Sequence, residues 1–466
     1  MIRIKEIEFF NHKIFGSRTF KFSKNDGSLP DTVVIAGENG CGKTKLIEEL
    51  VNLCSKEFAF HTIERAIKKL KLVLDISDEG FYTTLDDTTR VDFSEVTLVV
   101  SSNSNNEDVY SAVFSPACKS RHYRKDGYAD EIYTFRCFGV YSSVDINYKP
   151  RREVSTITGE TTDLAFNEIR LKSSDDLAYS IIQLLVDINN QDNSIISDWF
   201  KNNKGSNCNV PTELEGLKMN RFTSAFSEIF NNTVEFSRVN DNVKVMFKKG
   251  RSEFDISNLS SGEKQIVFRG VQLLRNKESI KGSFVFIDEP EISMHPCWEK
   301  KIYNYYRKLF MDNDVQTSQL FMVTHSEHVL ESALNDSDCV IVKIDKNETK
   351  NFDSSIVGLH GRPVTLAEIK YRIFDMYTVD FHIQLYGYIQ EKVSNLLGKN
   401  ANVRETDSWL CSLPNVINKT YINPENNHQY NSLSTYIRNC IDHPDARYSY
   451  TEVELKQSID FMISVI

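Results

Sequence analysis

Along the first 36 residues, Ile2, Ile4 and Ile7, then Phe20 and Phe22, are set among polar neighbours. Spacing close to two predicts short strands that bury one face. Thr32-Val-Val-Ile-Ala36 departs from that alternation. It is a compact apolar run that stops at a glycine, as a buried parallel strand does. From Lys45 to about Ala66 the spacing turns helical, with Leu46, Ile47, Leu50, Val51 and Leu53 as the apolar stripe. Residues 282–288 and 319–324 are again short runs of strand type.

The stretch 67–258 is less regular. Strand character is expected at 96–100 and 131–141, and helices at about 174–203 and 214–231. Two or three strands are expected over 234–254. No heptad pattern is sustained, which excludes a long coiled coil. Beyond 364, helical spacing recurs at 366–376, 380–398, 433–442 and 451–464, around a polar loop near 420–431. The expected division is an α/β domain over 1–360, with a helical and β insertion at about 67–258. A mainly α-helical appendage follows over 361–466.

The chain has 466 residues, and its 55 Lys and Arg against 65 Asp and Glu give a net charge of −10. That balance argues against wholesale coating of nucleic acid. DNA or RNA contact would need local patches, such as Lys119, Arg121, His122, Arg124 and Lys125, or Lys149, Arg151 and Arg152. Nine scattered cysteines, with no Cys-x-x-Cys pair, disfavour both a disulfide framework and a zinc site. Met1-Ile-Arg-Ile-Lys is no secretory signal, and no apolar run reaches the ~18 residues needed to span a membrane. The expected setting is the cytoplasm.

Gly37-Glu-Asn39-Gly40-Cys41-Gly42-Lys43-Thr44 has the form G-x-x-x-x-G-K-[ST] between a predicted strand and a predicted helix. Glycines let backbone amides turn toward phosphate oxygens, and the helix start adds positive potential. Lys43 is expected on the β and γ phosphates of ATP, and the Thr44 hydroxyl on Mg²⁺. Phe284-Val-Phe-Ile-Asp288-Glu289-Pro290 is an apolar strand ending in two carboxylates. Asp288 is suited to the Mg²⁺ shell and Glu289 to polarising the attacking water.

Leu259-Ser260-Ser261-Gly262-Glu263 precedes the acidic pair by about 25 residues and opens a helix. It resembles the L-S-x-G-E signature of ABC-type ATPases. That resemblance implies an ABC-ATPase head: a mixed β-sheet with the phosphate loop, plus a helical signature lobe. It also implies a homodimer in which Ser260, Gly262 and Glu263 meet the ATP held by the opposite copy. Phe321-Met-Val-Thr324-His325-Ser326 resembles the switch-histidine segment, with His325 facing the γ-phosphate. Asp288-Glu-Pro-Glu291-x-x-x-His295-Pro296 is similar to the SMC/RecF/OLD-like branch. That branch includes many bacterial anti-phage ATPases, which implies a nuclease effector, either a partner protein or the chain's own tail. A glutamine loop, expected in this family, has no assignable position. A DNA-repair or recombination ATPase, and a sensor with no nuclease of its own, are the alternatives. In the tail, Arg438-Asn439-Cys-Ile-Asp442-His443 resembles the Arg-x(4–6)-His motif of HEPN ribonucleases. There the arginine would neutralise phosphate and the histidine handle protons.

Overall fold

Six strands form the central sheet, in the order Thr349–Asp353, Cys339–Ile344, Thr32–Ala36, Gln319–Val323, Phe284–Asp288 and Gly139–Ser142. The first pair is antiparallel and every other pair parallel. The computed structural model describes residues 2–54, 57–58, 67–75, 95–102, 108–115, 135–136, 139–142, 174–203, 218–231, 233–240, 244–273, 282–312, 314–346, 348–424 and 426–466. Strands buried on both faces read as unbroken apolar runs. Every residue of Thr32–Ala36, Phe284–Asp288, Gln319–Val323 and Cys339–Ile344 is buried.

A second sheet of five strands is antiparallel throughout, in the order Gly16–Lys21, Arg3–His12, Ile67–Asp75, Glu95–Ser102 and Asp108–Ser115. Residues 67–75, 95–102 and 108–115 therefore continue the sheet begun at the N-terminus. The helix Lys43–Cys54 shares one apolar core with both sheets, through Leu46, Ile47, Leu50 and Leu53. Burying each such side chain is worth about 1.5–3 kcal/mol, so the core fixes the helix that opens at Lys43.

That helix stops at Cys54, short of the Ala66 expected from spacing. Residues Glu57–Phe58 pair instead with Phe135–Arg136. The helices Ser174–Asn202, Lys218–Ile229 and Ser261–Leu273 pack together as the helical lobe, beside the antiparallel sheet Glu235–Val239, Val245–Lys249 and Ser252–Asp255.

The chain divides into two compact units, Met1–Ser354 and Ser355–Ile466. In the second, the helices Leu366–Phe374, Val379–Leu397, Val403–Cys411, Leu433–Asp442 and Glu452–Val465 enclose their own core. The polar loop expected near 420–431 is in fact a hairpin, with Asn418–Ile422 antiparallel to Gln429–Ser432. Tyr421 is wholly buried and opposite Tyr430, so aromatic pairing stabilises strands whose other residues are mostly polar. No helix among the described residues is long and apolar enough to cross a membrane.

Candidate nucleotide-binding site

Three parallel neighbours, Thr32–Ala36, Gln319–Val323 and Phe284–Asp288, end side by side. Their ladder continues into the loops: the Thr324 amide donates to Ile35 at 3.1 Å and the Glu289 amide to Val323 at 2.9 Å. Ligands of open α/β sheets bind at such carboxyl ends. Here the strand ends lead into the phosphate loop, the switch segment and the acidic pair.

The loop needs glycine at its foot. Gly37 has φ +148°, and a Cβ there would lie 2.2 Å from the carbonyl oxygen of Ile344. Gly42 has φ +96°, and a Cβ would lie 2.7 Å from the Phe15 ring. Asn39 and Gly40 are exposed at the crown, and Cys41 is half-buried. Lys43 is buried, and its ammonium donates to the carbonyls of Gly37 at 3.0 Å and Glu38 at 2.7 Å. Burial holds its pKa below the ordinary lysine value.

Asp288 is fully buried, and neither carboxylate oxygen has a hydrogen-bond partner among the described residues. Burial pushes its pKa up to about 6, against the pull of the nearby Thr44 hydroxyl and the charges of Arg269 and Lys43. Two unsatisfied buried oxygens beside a hydroxyl form an oxygen-donor set that suits Mg²⁺. No group of three or more His, Cys, Asp or Glu among the described residues forms a metal cage. Mg²⁺ is usually bound through one or two carboxylates plus substrate phosphates.

Glu289 turns the chain out of the sheet with φ +45°. Its Oε1 lies 3.5 Å from His325 Nε2. Burial, then the nearby Lys43 charge, holds the His325 pKa below the ordinary histidine value, against the pull of Glu289. Tyr141, on the neighbouring strand, is pushed above the ordinary phenol value by burial and then by the Asp288 charge.

Ser260 and Glu263 form a capping box at the start of Ser261–Leu273. The Ser260 amide donates to Glu263 Oε2 at 2.8 Å, and the Glu263 amide to Ser260 Oγ at 3.4 Å. Lys249 pairs with Glu263 Oε1 at 2.8 Å. Burial raises the Glu263 pKa, but the Lys249 and Ser260 donors outweigh it and the net shift is downward. Both Glu263 oxygens are thus engaged within its own copy. Gly262 packs closely, since a Cβ would lie 2.9 Å from the Ser293 carbonyl and 3.1 Å from Trp298. Among the described residues no hydrogen bond joins Ser260 or Gly262 to residues 37–44.

Sequence reasoning passed over Arg269. It is fully buried on the signature helix, and it donates to Gln265 at 2.8 Å and to the Asp288 carbonyl at 2.6 Å. The available signal was an arginine inside Ile266-Val-Phe-Arg-Gly, because a buried arginine is almost always paired. His295 and Pro296 cap and open the helix Pro296–Leu309.

In the C-terminal unit, Arg438 pairs with Asp442 at 2.6 Å and donates to Asn439 Oδ1 at 2.9 Å. His443 is exposed at the helix C-cap. The two basic patches at 119–125 and 149–152 lie outside the described residues.

Residues 157–331 match the family described as "AAA domain, putative AbiEii toxin, Type IV TA system". Over 430 residues the chain is 21% identical to Endonuclease GajA of Bacillus cereus (strain HuB5-5), covering 76% of this chain and 60% of that protein. The likeness to that family is carried by residues 157–331, less than half of the chain. It spans about 60% of the length of its curated relative. An SMC head domain from Thermotoga maritima is 15% identical, covering 76% of this chain and all of that one, at a TM-score of 0.36. An SMC head bound to the C-winged helix domain of ScpA is 15% identical, covering 75% and 96%, at a TM-score of 0.40.

Proposed function

We propose that this ATPase binds and hydrolyses ATP between two copies of itself, and that its nucleotide state governs a nuclease effector in bacterial anti-phage defence. The observation that carries the hydrolysis reading is the meeting of Lys43, Asp288, Glu289 and His325 at three adjacent strand ends. Loop amides and the Lys43 ammonium bind the β and γ phosphates. Glu289 takes the proton of the attacking water, and His325 donates a hydrogen bond to the γ-phosphate. Mg²⁺, held by Thr44 and Asp288, would neutralise charge on the phosphates. Ser260 and Gly262, unattached to their own loop, supply the helix start that closes over the ATP of a second copy.

The family description names a toxin of a type IV TA system, and the curated relative is named an endonuclease. Those names support the defence setting. The effector is either Arg438, Asn439 and His443 of the tail or a separate nuclease. The deciding experiment pairs turnover with size: Glu289→Gln should accumulate as an ATP-bound dimer on size exclusion, and Lys43→Ala should bind and hydrolyse nothing. A Glu289→Gln variant that stays monomeric with Mg²⁺-ATP would end the two-copy reading, and undiminished turnover by Lys43→Ala the ATPase reading.

A further inference from the structure

The turn that follows the acidic pair carries a carboxylate with no task in the mechanism above. Glu291 Oε1 accepts three hydrogen bonds from the segment that presents His325. They come from Thr324 Oγ1 at 2.8 Å, the His325 amide at 2.7 Å and the Ser326 amide at 3.1 Å. The Thr324 hydroxyl also accepts from the Ser326 amide at 2.9 Å, and Ser326 Oγ donates to Glu299 at 2.7 Å. Ser326 then caps the helix Glu327–Leu334.

Charge-assisted bonds are short and directional, and three of them on one oxygen leave residues 324–326 a single backbone arrangement. The His325 side chain leaves the middle of that arrangement, and its Nε2 lies 3.5 Å from Glu289 Oε1. Glu291 Oε2, by contrast, is buried with no hydrogen-bond partner among the described residues. The hydrogen bonding of this carboxylate is therefore directed at the switch turn alone.

We propose that Glu291 is a positioning residue for hydrolysis, locking the 324–326 turn so that the His325 ring stays beside Glu289. The proposal rests on the hydrolysis reading above. It separates Glu291 from the adjacent acids, since it acts through a histidine rather than through water or metal.

The test is a double-variant cycle in the full-length protein, with steady-state ATP hydrolysis and Mg²⁺-ATP affinity measured together. Glu291→Ala should lower kcat roughly 10- to 100-fold, the usual cost of misplacing a catalytic group by about 1 Å, with KM within about threefold. Glu291→Gln keeps one acceptor oxygen and should retain most of kcat. Glu291→Ala combined with His325→Ala should be no slower than His325→Ala alone, as residues acting as a unit are strongly non-additive. An unchanged kcat in Glu291→Ala, or a double variant whose loss is the product of the single losses, would overturn the proposal. If Glu291→Ala does not fold, Glu291→Asp, one methylene too short to reach all three donors, enters the same cycle. Hydrolysis that persists in Lys43→Ala would sink the ATPase reading and this inference with it. Its loss in Lys43→Ala, with Glu291→Ala as active as wild type, would sink this inference alone.

Discussion

Replacing Asp288 by Asn should make the metal-free protein more stable, not less. The carboxylate is buried, both oxygens lack hydrogen-bond partners among the described residues, and its pKa is raised from 3.8 to about 6. A raised carboxylate pKa means that the folded state holds its proton more tightly than the unfolded state does. Stability therefore falls as pH rises from 3.8 through 6, and the loss is complete above 6. A shift of about two units corresponds to about 3 kcal/mol at pH 7.5, and roughly half of that at pH 5. The unpaired amide of asparagine reduces the visible gain to about 1–2 kcal/mol. The assay is thermal melting of the Met1–Ser354 unit within the full-length protein in chelator, at pH 7.5 and pH 5, for wild type and Asp288→Asn. The expected result is a variant that melts a few degrees higher at pH 7.5, with a smaller gap at pH 5. Mg²⁺-ATP should reverse the order by stabilising wild type alone. A variant that melts below wild type in chelator at pH 7.5, or a gap that widens at pH 5, would refute the reasoning.

Three further outcomes are expected. Gly37→Ala puts a methyl 2.2 Å from the Ile344 carbonyl oxygen and should destabilise the ATPase unit by about 3 kcal/mol or more, read from its melting temperature. Glu263→Ala breaks the capping box and the Lys249 pair, and a melting transition lowered by about 2–4 °C is expected from the loss of about 1 kcal/mol. Arg438→Ala removes an i,i+4 surface pair worth about 0.3–0.5 kcal/mol, so its melting should barely move. If the tail is the effector, toxicity and RNA cleavage in cells should still vanish in Arg438→Ala and His443→Ala; persistence in both would assign the effector to another protein.

The phosphate loop, the acidic pair and the signature were legible because binding phosphate constrains neighbouring residues at fixed spacing, with Gly37 to Thr44 as the clearest case. Glu291 and Arg269 were not legible as partners. Glu291 reaches the switch turn 33 to 35 positions away, and Arg269 a carbonyl 19 positions away. Pairing between side chains that distant is set by how strands lie together, which periodicity does not report. In the tail, the helix Val403–Cys411 was missed although Asn402 and Glu405 form a capping box, a signal readable at fixed spacing. The hairpin around Tyr421 was hidden by its mostly polar neighbours, since one buried tyrosine, set against the half-buried Tyr430, stabilises it.

Arg269 makes the signature helix and the metal-side strand end a single mechanical part. Its guanidinium has no exposed surface, and one of its nitrogens grips the main chain of Asp288. A tilt of that helix imposed by a neighbouring copy would drag the aspartate along, whereas a slack connection would absorb it. In the proposed two-copy arrangement, that bond would gear the occupancy of one nucleotide pocket to the docking of the other copy.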